Sequence, residues 1–176
     1  DDRELLGTDY DQHGLHGNAH GIFGNDKDIT PIVHQGYSNP SQQFSFRAYP
    51  KGGWVLHMLR SDLGEDLFRK CVKTYLERHQ YKTVVTQDLV EIFEELSGRS
   101  LSQFFDQWVY LSGYPEIKVS YSWDELTKQV KLSSNQVQMT NEKRPFFRFK
   151  LPVKFLVGDQ TELRTIEISK EREDFY

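Results

Sequence analysis

A tyrosine at the start of a predicted helix is the residue of this sequence best placed to do chemistry. Tyr49 precedes Pro50, and apolar residues then recur at helical spacing from Trp54 to Leu63. Pro50 is tolerated at the first position of a helix, where its missing N–H would have no intrahelical partner, and it disfavours a helical backbone at the residue before it. We therefore expect Tyr49 just outside the helix, with its phenol at the rim. A hydroxyl there can be aimed at a substrate, or the tyrosine can simply anchor the helix start.

Three histidines near the N terminus are the next candidates: His13, His16 and His20. On a helix they would share one face, and imidazole is a common zinc ligand. Three glycines interrupt any such helix: Gly14, Gly17 and Gly21. Each glycine costs about 1 kcal/mol relative to alanine inside a helix. We therefore expect solvated loop histidines here and no tight zinc binding by this chain.

The elements that position Tyr49 are four helices, predicted from the spacing of apolar residues. They cover residues 50–62, 65–79, 87–97 and 101–111. Thr86 is the expected N-cap of the third helix, and Gly98 marks its end. Ser100 with Gln103 forms a capping-box pattern for the fourth. These helices should share one core: Trp54, Leu56, Leu59, Phe68, Leu89, Phe93, Phe105 and Trp108.

The two flanks of the helical segment have different patterns. Residues 1 to 43 are rich in Gly, Asp, Asn and His and predict loop with at most one short helical turn. After Pro115 the apolar residues alternate, so that Ile117, Val119 and Tyr121 point one way, as in a half-buried strand. Further strands are expected over 130–137, 147–157 and 163–168, with a turn at Gly158 and Asp159. Four strands at hairpin spacing predict part of a sandwich or small barrel.

Composition narrows the class of protein. The 176 residues include 14% aromatic residues, which favours packed domains over disorder. A net charge of −4, spread along the chain, gives no reason to expect nucleic acid as a partner. Cys71 is the only cysteine, which excludes an internal disulfide and a cysteine-based metal cluster. No apolar run approaches the roughly 18 residues of a membrane span, so we expect a soluble protein without a membrane span.

A series of short motifs runs in order from Phe44 to Val119. It comprises Tyr49-x-Lys-Gly-Gly with a Val-Leu-x-Met-Leu helix, Leu63-Gly64-Glu65-Asp66-Leu67-Phe68, Tyr75-Leu76, Thr86-Gln87-Asp88-Leu89, Ser97-Gly98-Arg99-Ser100-Leu101, Phe104-Phe105-Asp106-Gln107-Trp108-Val109 and Gly113-Tyr114-Pro115. Each motif alone is weak. Together, in this order and spacing, they resemble the zinc aminopeptidases of the aminopeptidase N family, which are gluzincin metallopeptidases.

The resemblance implies an α+β multidomain fold. Residues 1–113 would be the helical lobe of a thermolysin-like catalytic domain, loop-rich over 1–43, and residues 114–176 a partial antiparallel β-sandwich. It also implies a role for two residues. The family's tyrosine at the position of Tyr49 donates a hydrogen bond to the oxyanion of the transition state, and Phe44 resembles an aromatic that lines the pocket for the first side chain of the substrate. Phe44 could equally be a core residue.

The zinc ligands of that family cannot be assigned to any residue of this sequence. Their signature, H-E-x-x-H, does not occur here. We therefore expect a fragment of a zinc-dependent aminopeptidase, which acts on peptides only together with the missing zinc-binding half of its catalytic domain and is inactive alone. Two alternatives remain: an aminopeptidase-like scaffold without catalysis, and an independent interaction module.

Overall fold

The computed structural model describes residues 8–24, 30–44, 47–142 and 144–176. The chain forms two compact units, Asp1–Ser112 and Gly113–Tyr176. The described part of the first unit is helical, and that of the second contains strands. None of the helices in the described ranges combines the length and the apolar content needed to cross a membrane.

The helices of the first unit are α1 (Thr8–Gly24), α2 (Gly52–Leu63), α3 (Glu65–His79), α4 (Thr86–Ser97) and α5 (Ser102–Phe105). Two segments are π-helical. Arg47–Lys51 leads into α2 and is called the Tyr49 turn below, and Asp106–Tyr110 continues α5 and is called the Trp108 turn. A short 3₁₀ helix spans Pro40–Gln43.

The prediction of a loop-rich segment over 1–43 is wrong for α1, which is 17 residues long. Its glycines make it a poor helix by local propensity alone. Packing outweighs that cost, because α1 lies against both the Tyr49 turn and α2. The Trp54 indole N–H on α2 donates to the Leu15 carbonyl over 3.1 Å and ties the two helices together. Most helical stability in proteins comes from such contacts rather than from propensity.

Helix α4 shows how closely local sequence can determine an element. Val85, with an extended backbone, is the N-cap, and Thr86, the predicted N-cap, is the first helical residue, so the helix begins one position earlier than predicted. The Asp88 carboxylate accepts the Val85 N–H at 2.7 Å, where the positive end of the helix dipole also favours it. Gly98 ends the helix at φ 66°, a left-handed conformation that suits glycine. Both ends are therefore fixed by side-chain or backbone chemistry visible in the sequence.

The predicted shared core is correct in part. Leu59, Phe93, Phe105 and Trp108 are buried, and Phe68 packs edge-on against Phe93 with 5.7 Å between ring centroids. Leu56 is an exception, with 41% of its surface exposed. Trp54, Phe68 and Leu89 are only partly buried. Spacing identifies the residues on the apolar side of a helix, but a residue at the margin of that side stays exposed where no neighbouring element covers it.

The fourth predicted helix begins later than its sequence pattern indicated. The pair Ser100 and Gln103 does not form a capping box, because α5 starts at Ser102. Glu94 of α4 instead accepts the Leu101 N–H at 2.6 Å, and Gln103 donates to Gln107 at 3.1 Å. The Glu94 carboxylate thus accepts the N–H of the N-cap residue Leu101, which is the role expected of Gln103 in the capping box.

The second unit contains a three-stranded sheet and a hairpin, both antiparallel. The strands are β1 (Ile117–Asp124), β2 (Gln129–Gln136), β3 (Phe149–Val157), β4 (Gln160–Ile168) and β5 (Arg172–Phe175). The sheet order is β1-β2-β5, and β3 pairs with β4. Val157 faces Gln160, which confirms the predicted turn at Gly158 and Asp159. Gly158 has φ 59°, as short hairpin turns require.

Two buried glutamines hold a non-strand segment against β2. Gln136 donates to the Phe147 carbonyl and accepts the Phe147 N–H, both over 2.8 Å. Its amide also donates to the Lys170 carbonyl at 3.1 Å, and Gln138 donates to Gln136 at 2.9 Å. A side-chain amide here pairs with a backbone as a neighbouring strand would.

The predicted half-buried character of β1 is wrong beyond Ile117. Val119, Tyr121 and Trp123 are 49%, 79% and 51% exposed, although Tyr121 lies opposite Leu132, which is buried. The alternation did identify the side chains that share a face of the sheet. It could not show whether a second layer covers that face, and the hairpin leaves most of β1 uncovered.

Candidate functional site

The Tyr49 turn places a phenol at the surface, directly ahead of α2. Tyr49 lies inside the π-helical segment and not in the extended conformation that the following proline predicted. Pro50 is also inside this segment. The preference imposed by proline on its predecessor is therefore overridden by the packing of this turn against α1 and α2. π-Helical turns of this kind recur at functional sites because they alter the direction of side chains within a helix.

The second predicted site residue, Phe44, lies beside Tyr49. Their rings are stacked, with 6.1 Å between centroids and 29° between planes. Both are exposed, Phe44 at 73% and Tyr49 at 64% of their surface. Phe44 is therefore not a core residue of the described structure. The structure brings together the two residues that the resemblance singled out.

The backbone that carries Phe44 is fixed by local hydrogen bonds. Phe44 ends the 3₁₀ helix and donates its N–H to the Ser41 carbonyl at 3.1 Å. The Asn39 side chain accepts the Ser41 N–H at 2.9 Å and caps the other end. Gln43 donates to the His34 carbonyl at 3.0 Å. These contacts allow Phe44 to present an apolar ring to solvent without a packed core around it.

Charged side chains lie at the C-terminal end of α2, away from the Tyr49 turn. Glu65 accepts hydrogen bonds from Arg60 and from Arg69, with a distance of 2.5 Å to the Arg69 Nε. The two guanidinium groups lower the pKa of Glu65 to about 2. This cluster fixes the junction between α2 and α3. The cluster lies at the C-terminal end of α2, whereas the Tyr49 turn precedes the N-terminal end.

The histidines do not join the aromatic pair. His16 and His20 are exposed on α1, four residues apart, and the side chain of His13 lies outside the described part of the chain. No group of three or more His, Cys, Asp and Glu side chains among the described residues could hold a metal ion. The sequence also contains no H-E-x-x-H. The residues that the structure describes therefore do not offer the three protein ligands that a catalytic zinc takes.

The sequence did not predict helix α1, which carries these histidines. Its one signal was the spacing of His13, His16 and His20, which suits a single helix face. The glycines between them pointed to a loop. Helix propensity could not have shown that the segment is helical, because α1 is stabilised by contacts with Trp54 and with the Tyr49 turn, which lie far from it in sequence.

Sequence comparison identifies the family. The peptidase family M1 domain matches residues 16–108, which is more than half of the chain and includes the aromatic pair. Aminopeptidase N of Lactococcus lactis subsp. lactis is 38% identical over 98 residues, covering 53% of this chain and 12% of the relative. Mouse aminopeptidase N is 26% identical over 137 residues, covering 73% of this chain and 14% of the relative.

The fold agrees with that assignment. The crystal structure of Legionella pneumophila aminopeptidase A in complex with aspartic acid superposes with a TM-score of 0.68 at 19% identity, over 92% of this chain and 20% of that one. The expected α+β multidomain fold is confirmed. The chain belongs to peptidase family M1, as the resemblance to aminopeptidases implied. It spans 12% of the length of Lactococcus aminopeptidase N.

Proposed function

We propose that this chain is the helical part of the catalytic domain of an M1 aminopeptidase, followed by the first strands of a β-sandwich. The reaction would be the hydrolysis of N-terminal residues from peptides. Tyr49 would be a catalytic residue and Phe44 a substrate-binding residue. The observation that carries the proposal is the stacked, solvent-facing pair of Phe44 and Tyr49, which lies within the segment matched by the M1 domain.

Tyr49 would act on the oxygen of the scissile carbonyl. Negative charge develops on that oxygen only as the carbonyl becomes tetrahedral, so a donor aimed there stabilises the transition state more than the substrate. Removal of one such donor costs on the order of 10²–10³ in kcat. The phenol of Tyr49 is an O–H donor, and its exposure leaves room for a peptide.

Phe44 would contact the side chain of the N-terminal residue of the peptide. Its ring is exposed and apolar, and it stacks on Tyr49, so a side chain bound against Phe44 would bring the adjacent carbonyl toward the phenol. Positioning of this kind converts binding energy into orientation of the reacting group.

Zinc, the cofactor expected from the resemblance to zinc aminopeptidases, would be held by residues outside the sequence given. The donor set of the described residues does not fit it. The chain by itself is therefore proposed to lack peptidase activity and to need the zinc-binding half of the catalytic domain as its partner.

A second candidate function is an interaction module without catalysis. The exposed apolar side chains of β1, Val119, Tyr121 and Trp123, are the observation that favours it. The two candidates differ in what they require of Tyr49, because an interaction module or scaffold has no use for a transition-state donor.

The test is Tyr49→Phe in the full-length protein that contains this chain. The ring is kept, so packing should survive while the donor is lost. We expect kcat and kcat/KM to fall together by on the order of 10²–10³ with little change in KM. Zinc content should be unchanged, since Tyr49 is not proposed as a ligand.

The matched control is Tyr110→Phe, which makes the same change in the Trp108 turn and should leave kcat unchanged. Near-normal kcat in the Tyr49 variant would reject the catalytic role of Tyr49. A full-length protein that contains zinc but hydrolyses no peptide would favour the non-catalytic alternative.

A further inference from the structure

Two histidines on α1 have the spacing of a chelating pair. His16 and His20 are separated by one helical turn, and side chains at i and i+4 lie on the same face, with Cβ atoms about 5–6 Å apart. Two imidazoles at that separation can reach one metal ion through a ring nitrogen each. The same spacing underlies the paired histidines of helical zinc motifs.

Both imidazoles are available to a ligand. His16 and His20 are exposed, and neither has a hydrogen bond or ion pair with another residue of the described ranges. By contrast, other histidines of the chain are engaged: His34 accepts the Gly36 N–H at 3.4 Å, and His57 packs edge-on against Trp54 with 5.5 Å between ring centroids. His16 and His20 are therefore both accessible to a dissolved metal ion.

The charge of the helix favours a cation. The sequence Thr8–Gly24 contains no lysine or arginine and two aspartates, so no fixed positive charge on α1 opposes a divalent ion. No third His, Cys, Asp or Glu in the described part of the chain joins the pair. Water would fill the remaining positions, as suits Cu²⁺ or Ni²⁺ on two imidazoles better than a closed tetrahedral zinc site.

We propose that His16 and His20 form a two-ligand surface site on α1 for divalent transition-metal ions, with Cu²⁺ bound more tightly than Ni²⁺ and Ni²⁺ more tightly than Mg²⁺ or Ca²⁺. The order follows from imidazole as the ligand and from the Irving–Williams series. The site does not depend on the proposed peptidase function, because it uses neither Tyr49 nor Phe44.

Metal binding would also stabilise α1 itself. A ligand that bridges two turns binds the helical state and not the unfolded one, so it shifts the equilibrium toward helix. The effect should be visible in α1, because its four glycines make it weak by propensity. Leu15, next to His16, accepts the hydrogen bond from Trp54, so the stabilised turn is the one that contacts α2.

The experiment is calorimetric titration of the purified, tag-free 176-residue chain with NiCl₂ and with CuCl₂, with MgCl₂ as the hard-cation control. We expect one equivalent of Ni²⁺ or Cu²⁺ to bind at the pair and Mg²⁺ not to bind there. His16→Ala and His20→Ala should each weaken Ni²⁺ binding at least tenfold. Folding should tolerate both changes, because alanine is the better helix former.

Two controls test the geometry. His79→Ala removes a histidine on α3 and should leave Ni²⁺ binding unchanged. The double variant Asn18→His with His20→Ala keeps the number of histidines but places the second one two residues from His16, about 160° away around the helix, and it should bind no better than His20→Ala. Amide exchange over α1 should slow on addition of Ni²⁺ to the unmodified chain and not to the double variant.

Equal Ni²⁺ affinity in the double variant and the unmodified chain would overturn the proposal, since spacing would then be irrelevant. Loss of binding in His13→Ala with no effect of His20→Ala would overturn it as well, because the ligand pair would be a different one. Absence of Ni²⁺ and Cu²⁺ binding by the unmodified chain would do the same.

Discussion

The Tyr49 turn and the Trp108 turn are both π-helical and equally long, but one is exposed to solvent and the other is buried. The Tyr49 turn and the Trp108 turn are each five residues long. Tyr49 is 64% exposed, whereas Trp108 is 7% exposed and Val109 and Gln107 are buried beside it. The Trp108 turn is also tied to the chain before the 3₁₀ helix, because Val109 accepts the Val33 N–H at 3.2 Å.

The difference shows that the turn geometry alone does not mark a functional site. A π-helical turn redirects side chains, and the neighbouring elements decide whether they meet a core or solvent. In the Trp108 turn the redirected side chains complete the core of the helical unit. In the Tyr49 turn they leave an aromatic hydroxyl at the surface, next to the exposed ring of Phe44. Removal of side chains from the two turns should therefore affect different properties.

The largest effect on the free energy of unfolding is expected for Trp108→Ala. The indole is buried, so truncation should lower the free energy of unfolding of the helical unit by about 3–5 kcal/mol through lost burial and a residual cavity. Denaturant unfolding followed by far-ultraviolet circular dichroism measures the change. A loss below about 1 kcal/mol would contradict the structural role given to this turn.

Gly53→Ala, at the start of α2, is expected to stabilise the helical unit by a smaller amount. An added methyl group would have nothing within 4 Å, and alanine is the better helix former by about 0.5–1 kcal/mol. Unfolding should therefore require slightly more denaturant. A destabilised variant would show that the first turn of α2 needs the flexibility of glycine at position 53.

Low pH should reduce the stability contributed by Glu65 at the C-terminal end of α2. The folded-state pKa of Glu65 is about 2, below its usual value of 4.5, so the stability that Glu65 contributes is present above pH 4.5 and is lost as the pH falls toward 2. The stability difference between the unmodified chain and Glu65→Gln should shrink over that range. Because Glu65 is exposed, the difference should be small even at neutral pH. A difference that stays constant with pH would contradict the assignment.

The smallest effect on stability is expected for Tyr49→Ala. Its ring is mostly exposed, and a surface substitution of this kind usually changes the unfolding free energy by less than about 0.5 kcal/mol. The same denaturant experiment as for Trp108→Ala provides the direct contrast. A loss comparable to that of Trp108→Ala would mean that the two turns are structurally equivalent after all.

Sequence patterns predicted the elements whose signals are local. The sequence predicted helix α4 from its periodicity and from Gly98 at its end, and it predicted the hairpin turn from Gly158 and Asp159. Helix α1 was missed because its stability comes from contacts distant in sequence, such as that of Trp54 with Leu15. The exposure of β1 was missed for a related reason, since alternation carries no information about a covering layer.

The candidate site was predictable as a set of residues but not as an arrangement. The resemblance to aminopeptidases singled out Tyr49 and Phe44. Neither periodicity nor the rule for the residue before proline indicated that Tyr49 belongs to a π-helical turn or that its ring stacks on Phe44. Both depend on how α1 and α2 pack around the turn, which local propensity does not encode.

The contact between β2 and the Phe147 segment depends on an intact side-chain amide at Gln136. Gln136 holds Phe147 through one side-chain amide, which both donates and accepts. Deamidation would turn that amide into a carboxylate and remove its N–H donors, leaving negative charge facing the carbonyl oxygens of Phe147 and Lys170. Hydrolysis of this one buried amide would therefore weaken the attachment of the Phe147 segment and leave it to the contact of Gln138 with the Pro145 carbonyl.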